Sequence, residues 1–207
     1  MIAPPAMGES SFGFRWCALA VFVVTLGISA GRRWQARRAG GTIRRREEPR
    51  ALILGRAIVA LPLFGGVVLY IANPRWMAWA SVDLPSWIRW AGVGLGVLVV
   101  PSVHWVLTSL GTNVSETVLT KRQHRLVTVG PYRWVRHPLY TAAIALFVSL
   151  GLMAANWFIL LWAMIALLAI RFVVIPREEA NLVVAFGDDY RRYRDATGSL
   201  VPLLPGC

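Results

Sequence analysis

The residues best equipped for chemistry lie between Gly130 and Tyr193. An Arg136-His137-Pro138-Leu139-Tyr140 cluster precedes two apolar runs, and Arg171, Glu178 and Glu179 close the second of them. Ionisable side chains beside a bilayer are costly and rarely persist there without a use. His137 and Pro138 stand where a loop becomes a helix, since proline is favoured in the first helical turn. The free N–H groups of such a turn attract anions and carboxylates. His137 and Tyr140, three apart, share a helix face. A membrane hairpin returns both ends to one side, so the two polar groups can meet. The resulting pocket would hold acids, bases, aromatic rings and helix N–H donors at the edge of lipid. It suits a polar cofactor entering from water and an apolar substrate entering from the bilayer.

The elements that position these residues follow from composition. Of 207 residues, 57% are hydrophobic and only 15% charged, with ten Trp. A soluble domain carries roughly a quarter charged residues, so the chain reads as one integral membrane protein. Apolar runs at 12–30, 51–72, 88–110, 139–152 and 157–175 set the expected fold class. It is an all-α membrane protein of about five transmembrane helices, with a C-terminal helical hairpin and a cytoplasmic cofactor pocket. Residues 1–110 form an N-terminal membrane region of three spans with an Arg-rich inner loop at 32–50. Residues 111–207 form the core of loop, hairpin and tail. The run 139–152 is short for a span, which predicts one tilted or broken hairpin member. Pro62 predicts a kink, Pro176 an end to the second hairpin helix, and 200–204 an interfacial anchor.

The net charge of +12 is explained by topology. With the N-terminus outside, the three inner segments carry eight, five and four basic residues, against Arg15 and Arg75 in the outer ones. This is the positive-inside bias. It puts both polar clusters on the cytoplasmic face of a multi-pass protein of a bacterial inner (plasma) membrane, and it makes nucleic acid an unnecessary partner. Positive charge follows the first apolar run instead of preceding it, so that run reads as a retained span and not a cleaved signal. Cys17 and Cys207 form no CxxC pair and no metal-ligand spacing. Gly92, Gly94 and Gly96 fall in an apolar run with no preceding strand, which favours close helix packing over a nucleotide loop.

The pattern His124-Arg125-Leu126-Val127-Thr128, Gly130-Pro131-Tyr132-Arg133, Arg136-His137-Pro138-Leu139-Tyr140, Arg171, Glu178-Glu179, Phe186-Gly187, Tyr190 and Tyr193 resembles a known superfamily. It is that of the integral membrane methyltransferases related to isoprenylcysteine carboxyl methyltransferase and the phospholipid N-methyltransferases. The likeness runs from about Leu110 to Pro202, with Ala142 standing where the family usually has Gly. It implies S-adenosyl-L-methionine as cofactor, held by His124, Leu126, Val127, Gly130, Tyr132, His137, Pro138, Tyr140, Glu178 and Glu179. It also implies a lipophilic acceptor, a prenylcysteine-like carboxylate or a lipid amine. Arg171 would orient a carboxylate, and a glutamate, Glu178 first, would take the proton of an amine.

Plainer readings stand beside these. Arg171 pairs with Glu178 two turns on; Arg133 and Arg136 are inside-positive charges; Tyr190 and Tyr193 are interfacial anchors; His104 is a hydrogen-bonder between helices. Sterol-type membrane reductases, which bind NADPH, are similar in this same hairpin and give the alternative activity.

Overall fold

The computed structural model describes residues 9–39, 50–111 and 126–203; His124 lies outside the described residues. Helices α1 (Glu9–Ala39), α2 (Arg50–Ala72) and α3 (Ser86–Leu110) precede the hairpin of α4 (Pro138–Ala154) and α5 (Trp157–Ala169). A π turn (Ile170–Val174) joins α5 to α6 (Ile175–Phe186), and α7 (Asp188–Ala196) follows. The stretches Gly13–Ala36, Ile53–Ala72, Ser86–Leu110 and Trp157–Phe186 are long and apolar enough to cross a membrane. The chain is thus the expected helical, multi-pass membrane protein. α4 has 17 residues. At ~1.5 Å per residue it reaches about 25 Å, short of a ~30 Å hydrocarbon core.

Three local expectations are corrected. α1 continues to Ala39, so Arg32, Arg33, Arg37 and Arg38 belong to a helix and not to a loop. Arginine is a good helix former, and one glycine, Gly31, is not enough to stop the run. Pro176 does not end the second hairpin helix. It falls in the first turn of α6, where its missing N–H is tolerated. The turn before it has widened, and Ile175 N–H bonds Ile170 O, one residue beyond the α-helical partner. Leu200 itself is no free anchor, because the backbone at 198–200 is bonded back to the start of α4, while Val201 and Leu203 beyond it stay exposed.

α3 and α4 pack at the centre, and the first and third glycines explain how closely. A Cβ on Gly92 would lie 2.8 Å from Leu152 Cβ and 3.0 Å from Ser149 O. One on Gly96 would lie 2.8 Å from Met153 Cε, while Gly94 has nothing within 4 Å. Gly92→Ala is therefore expected to cost about 1–3 kcal/mol through overpacking. That lowers the thermal midpoint by several degrees at ~2–4 °C per kcal/mol. Gly94→Ala should leave it unchanged or slightly higher, which differential thermal melts would read. An aromatic chain of Phe22, Phe64 and Phe147, with centroids 6.1 and 4.9 Å apart, ties α1, α2 and α4 together.

The end of the bundle away from His137 is closed by side chains capping helix carbonyls. Arg15 donates to Ile71 O and Ala72 O, each at 2.7 Å, at the end of α2. Arg89 donates to Met153 O at 2.9 and 3.1 Å at the end of α4. Cations favour such C-terminal carbonyls. Buried Asn156 caps α5 through Ile159 N–H and donates to Met77 O.

Candidate active site

The site forms where the opposite helix ends converge. Gly130 begins a tight turn, Gly130–Arg133, with φ +62°. A Cβ there would lie 2.4 Å from Ser109 Oγ on α3. Glycine is required both by its left-handed backbone and by this approach. The turn rests on the end of α3, where Trp105 and Trp134 meet edge to face at 5.8 Å. Tyr132 is buried, and its carbonyl accepts a 2.6 Å hydrogen bond from Tyr193. Leu126 and Val127 lie half-buried in the irregular segment leading into the turn.

Pro138 starts α4 and is buried with His137, which is 5% exposed. The His137 and Tyr140 rings stack with centroids 5.8 Å apart, so the shared face expected from their spacing exists. Glu178 and Glu179 arrive from α6. Glu179 Oε1 accepts from Arg136 Nε at 2.9 Å and lies 3.2 Å from His137 Nε2. Glu178 Oε2 accepts from Tyr140 Oη at 3.0 Å and lies 3.8 Å from His137 Nδ1. The imidazole is held between two carboxylates, one per ring nitrogen. Among the described residues no hydrogen bond reaches Glu178 Oε1.

Arg136, which its place in a basic loop reads as an inside-positive charge, is instead the centre of the structure here. Its side chain is 13% exposed. Besides Glu179, Nη1 donates to Arg194 O at 2.7 Å and to Thr197 O. Backbone bonds continue the tie: Arg136 N–H to Gly198 O at 2.8 Å and His137 N–H to Ser199 O at 3.0 Å. Thr141 Oγ1 donates to Leu200 O at 2.6 Å. The segment 197–200 is thus a strap across the start of α4. Sequence reading missed it, because Thr-Gly-Ser carries no periodic signal and its partners are some sixty residues away.

Other expectations divide. Tyr190 is 1% exposed and Tyr193 is bonded to the Gly130–Arg133 turn, so neither is an interfacial anchor. Burial pushes the Tyr193 phenol up to about 12, and Tyr132 and Tyr190 upward likewise, chiefly by desolvation. All three stay neutral near pH 7. Arg133 is exposed over the Trp134 ring at 4.0 Å. Arg171 makes no ion pair with Glu178; it is exposed, with its guanidinium 5.6 Å from the Phe172 ring. Seven residues would put the two on one α-helical face, but the π turn re-phases α6 by about one residue's ~100° arc. That rotation directs Glu178 and Glu179 to His137 and separates them from Arg171.

The family model for phospholipid methyltransferases matches residues 87–189. The chain is 35% identical over 101 residues to protein-S-isoprenylcysteine O-methyltransferase of Schizosaccharomyces pombe, covering 48% of this chain and 43% of that one. It is 39% identical over 71 residues to methanethiol S-methyltransferase 1 of Bradyrhizobium diazoefficiens, covering 34% and 24%. These matches span less than half the length of either relative. The fold resembles the solved eukaryotic intramembrane Ras methyltransferase (isoprenylcysteine carboxyl methyltransferase), with a TM-score of 0.53 and 21% identity. That likeness covers 72% of this chain and 53% of the other. The chain belongs to the superfamily of integral membrane methyltransferases that includes the isoprenylcysteine carboxyl methyltransferases and the phospholipid methyltransferases.

Proposed function

We propose that this protein is an S-adenosylmethionine-dependent methyltransferase acting on a lipophilic acceptor at the cytoplasmic face of a bacterial inner membrane. The observation that carries the reading is the ring of His137, Tyr140, Glu178 and Glu179, with one glutamate oxygen left unbonded by the described residues. Its chemistry fits the donor, whose amino group and sulfonium are cationic and favour carboxylates and aromatic faces. When bound, S-adenosylmethionine supplies an electrophilic methyl group.

The chain's own residues divide the remaining work. Glu178, unbonded at Oε1 among the described residues, faces the donor's positive charge and is the base for an amine acceptor, while Tyr140 holds its Oε2. Glu179 holds Arg136 and His137 in position. Leu126, Val127, Gly130, Tyr132 and Pro138, together with His124, make the donor side of the pocket. Arg171, on the π turn and exposed, orients an acceptor carboxylate arriving from the lipid side. Alignment of acceptor, methyl and sulfur is where much of the rate gain lies, since an in-line displacement is a matter of geometry. Acceptor choice belongs to the first two spans and the Arg-rich segment between them, which carry none of the motif.

The test uses purified protein in nanodiscs with methyl-tritiated S-adenosylmethionine. Saturable binding that NADPH does not displace is expected, with label passing to an acceptor from a panel of prenylcysteine, phosphatidylethanolamine and a small thiol. Displacement by NADPH, or no saturable binding, would sink the reading in favour of a reductase or a non-catalytic protein.

A further inference from the structure

A second polar cluster lies at the same end of the bundle, between α1 and α3, and the methyl-transfer reading does not use it. Arg32 Nη2 donates to Thr108 Oγ1 at 2.9 Å and lies 3.2 Å from His104 Nε2. Thr108 Oγ1 in turn donates to His104 O at 2.6 Å, so its hydrogen is committed and its lone pair faces Arg32. With Arg32 as donor, His104 Nε2 accepts, and the ring proton of the neutral imidazole stands on Nδ1. His104 is thus the interhelical hydrogen-bonder expected, but it is not a buried one; His104 and Thr108 are both exposed.

Among the described residues no carboxylate pairs with Arg32; its third contact is Gln35 Oε1 at 3.4 Å, again neutral. A guanidinium oriented by neutral acceptors keeps its full charge and offers its remaining N–H groups outward. Exposed Arg38 lies one helical turn beyond exposed Trp34, with its guanidinium 3.6 Å over the indole, and extends the positive field along α1.

What lies beside the cluster is apolar. On α3, Val97, Pro101, His104 and Thr108 follow at helical spacing, so they form one stripe. Its upper half is polar and its lower half, exposed Val97 and Pro101, is apolar. Leu98, 67% exposed, widens the apolar half. A fixed cation and an imidazole N–H above an apolar track, at a membrane helix end, match one ligand shape: a phosphate headgroup above an acyl chain. Basic sites between helices on the cytoplasmic side bind such headgroups.

We propose that Arg32, His104 and Thr108 form a binding site for an anionic phospholipid, its headgroup phosphate on Arg32 and His104 and its chain along Val97, Leu98 and Pro101. The site is separate from the His137 pocket and does not depend on the methyl-transfer reading.

The test is native mass spectrometry and thermal melting of the purified protein in detergent, titrated with dioleoylphosphatidylglycerol, dioleoylphosphatidylcholine or sodium phosphate. Phosphatidylglycerol is expected to bind and raise the melting midpoint, whereas phosphatidylcholine and free phosphate should not. Arg32→Gln should weaken phosphatidylglycerol binding at least tenfold. Thr108→Val, which keeps the charge and loses its orienting hydroxyl, should weaken it severalfold. Arg133→Gln, an exposed arginine bonded to none of the three cluster residues, should bind as wild type, and Arg32→Gln should elute as wild type on size exclusion. Equal stabilisation by phosphatidylcholine or by phosphate alone would overturn the proposal. So would wild-type binding by both cluster variants, or an equal loss in Arg133→Gln.

Discussion

Arg136→Ala is expected to give the largest loss of any single substitution at the site. The change removes one partner of an ion pair that is mostly buried, and it also takes a donor from each of Arg194 O and Thr197 O. Breaking a buried pair from one side costs about 3–5 kcal/mol, because the remaining carboxylate is left without compensation. At 13% and 17% exposure the lower half of that range applies, or roughly 6–16 °C in thermal midpoint. Donor binding should fall by about a hundredfold, since ~2.7 kcal/mol is two decades. Arg136→Lys tests the geometry. A lysine has one nitrogen and cannot serve Glu179, Arg194 O and Thr197 O as the planar guanidinium does. It should recover some of the midpoint and little of the binding. Isothermal titration with S-adenosylmethionine beside thermal melts would measure both. Wild-type binding in Arg136→Ala would remove the strap from the site.

Glu178→Gln is the second, and it should separate binding from folding. Glu178 is 29% exposed and its clearest tie is the 3.0 Å bond from Tyr140. Glutamine keeps the shape and can still accept that bond, so the melting midpoint should move by no more than a degree or two. The lost negative charge faces the donor's cationic groups, where a charge-assisted hydrogen bond contributes about 1.5–3 kcal/mol. A tenfold to hundredfold rise in the dissociation constant is expected. Tyr140→Phe should give a smaller loss in the same direction. Glu179→Gln should instead lower stability and binding together, because Glu179 serves Arg136 and His137. If both glutamine variants behaved alike, the division of labour between the two carboxylates would be wrong.

Much of the fold was legible because it rests on local pattern. Long apolar runs and glycines packed as at Gly92 and Gly96 are short-range properties of the chain. The meeting of His137 and Tyr140 with the two glutamates was legible too, since a hairpin must bring its ends together. The extension of α1 through its arginines was not: a positive run beside a membrane reads as loop, and helix propensity alone does not separate the two.

Residue types and their order determined by themselves that this chain is a helical membrane protein with a polar site at one end of its last hairpin. They also determined the membership of that site's motif in a methyltransferase superfamily. Only the tertiary structure decided how the motif is divided. The π turn before Pro176 rotated Arg171 away from Glu178, and a one-residue change of helical phase leaves no trace in spacing. The strap at 197–200 made Arg136 a structural keystone instead of one more inside-positive charge. Its partners are carbonyl oxygens, which every residue possesses and no sequence distinguishes, so only folding could show which of them the guanidinium would find.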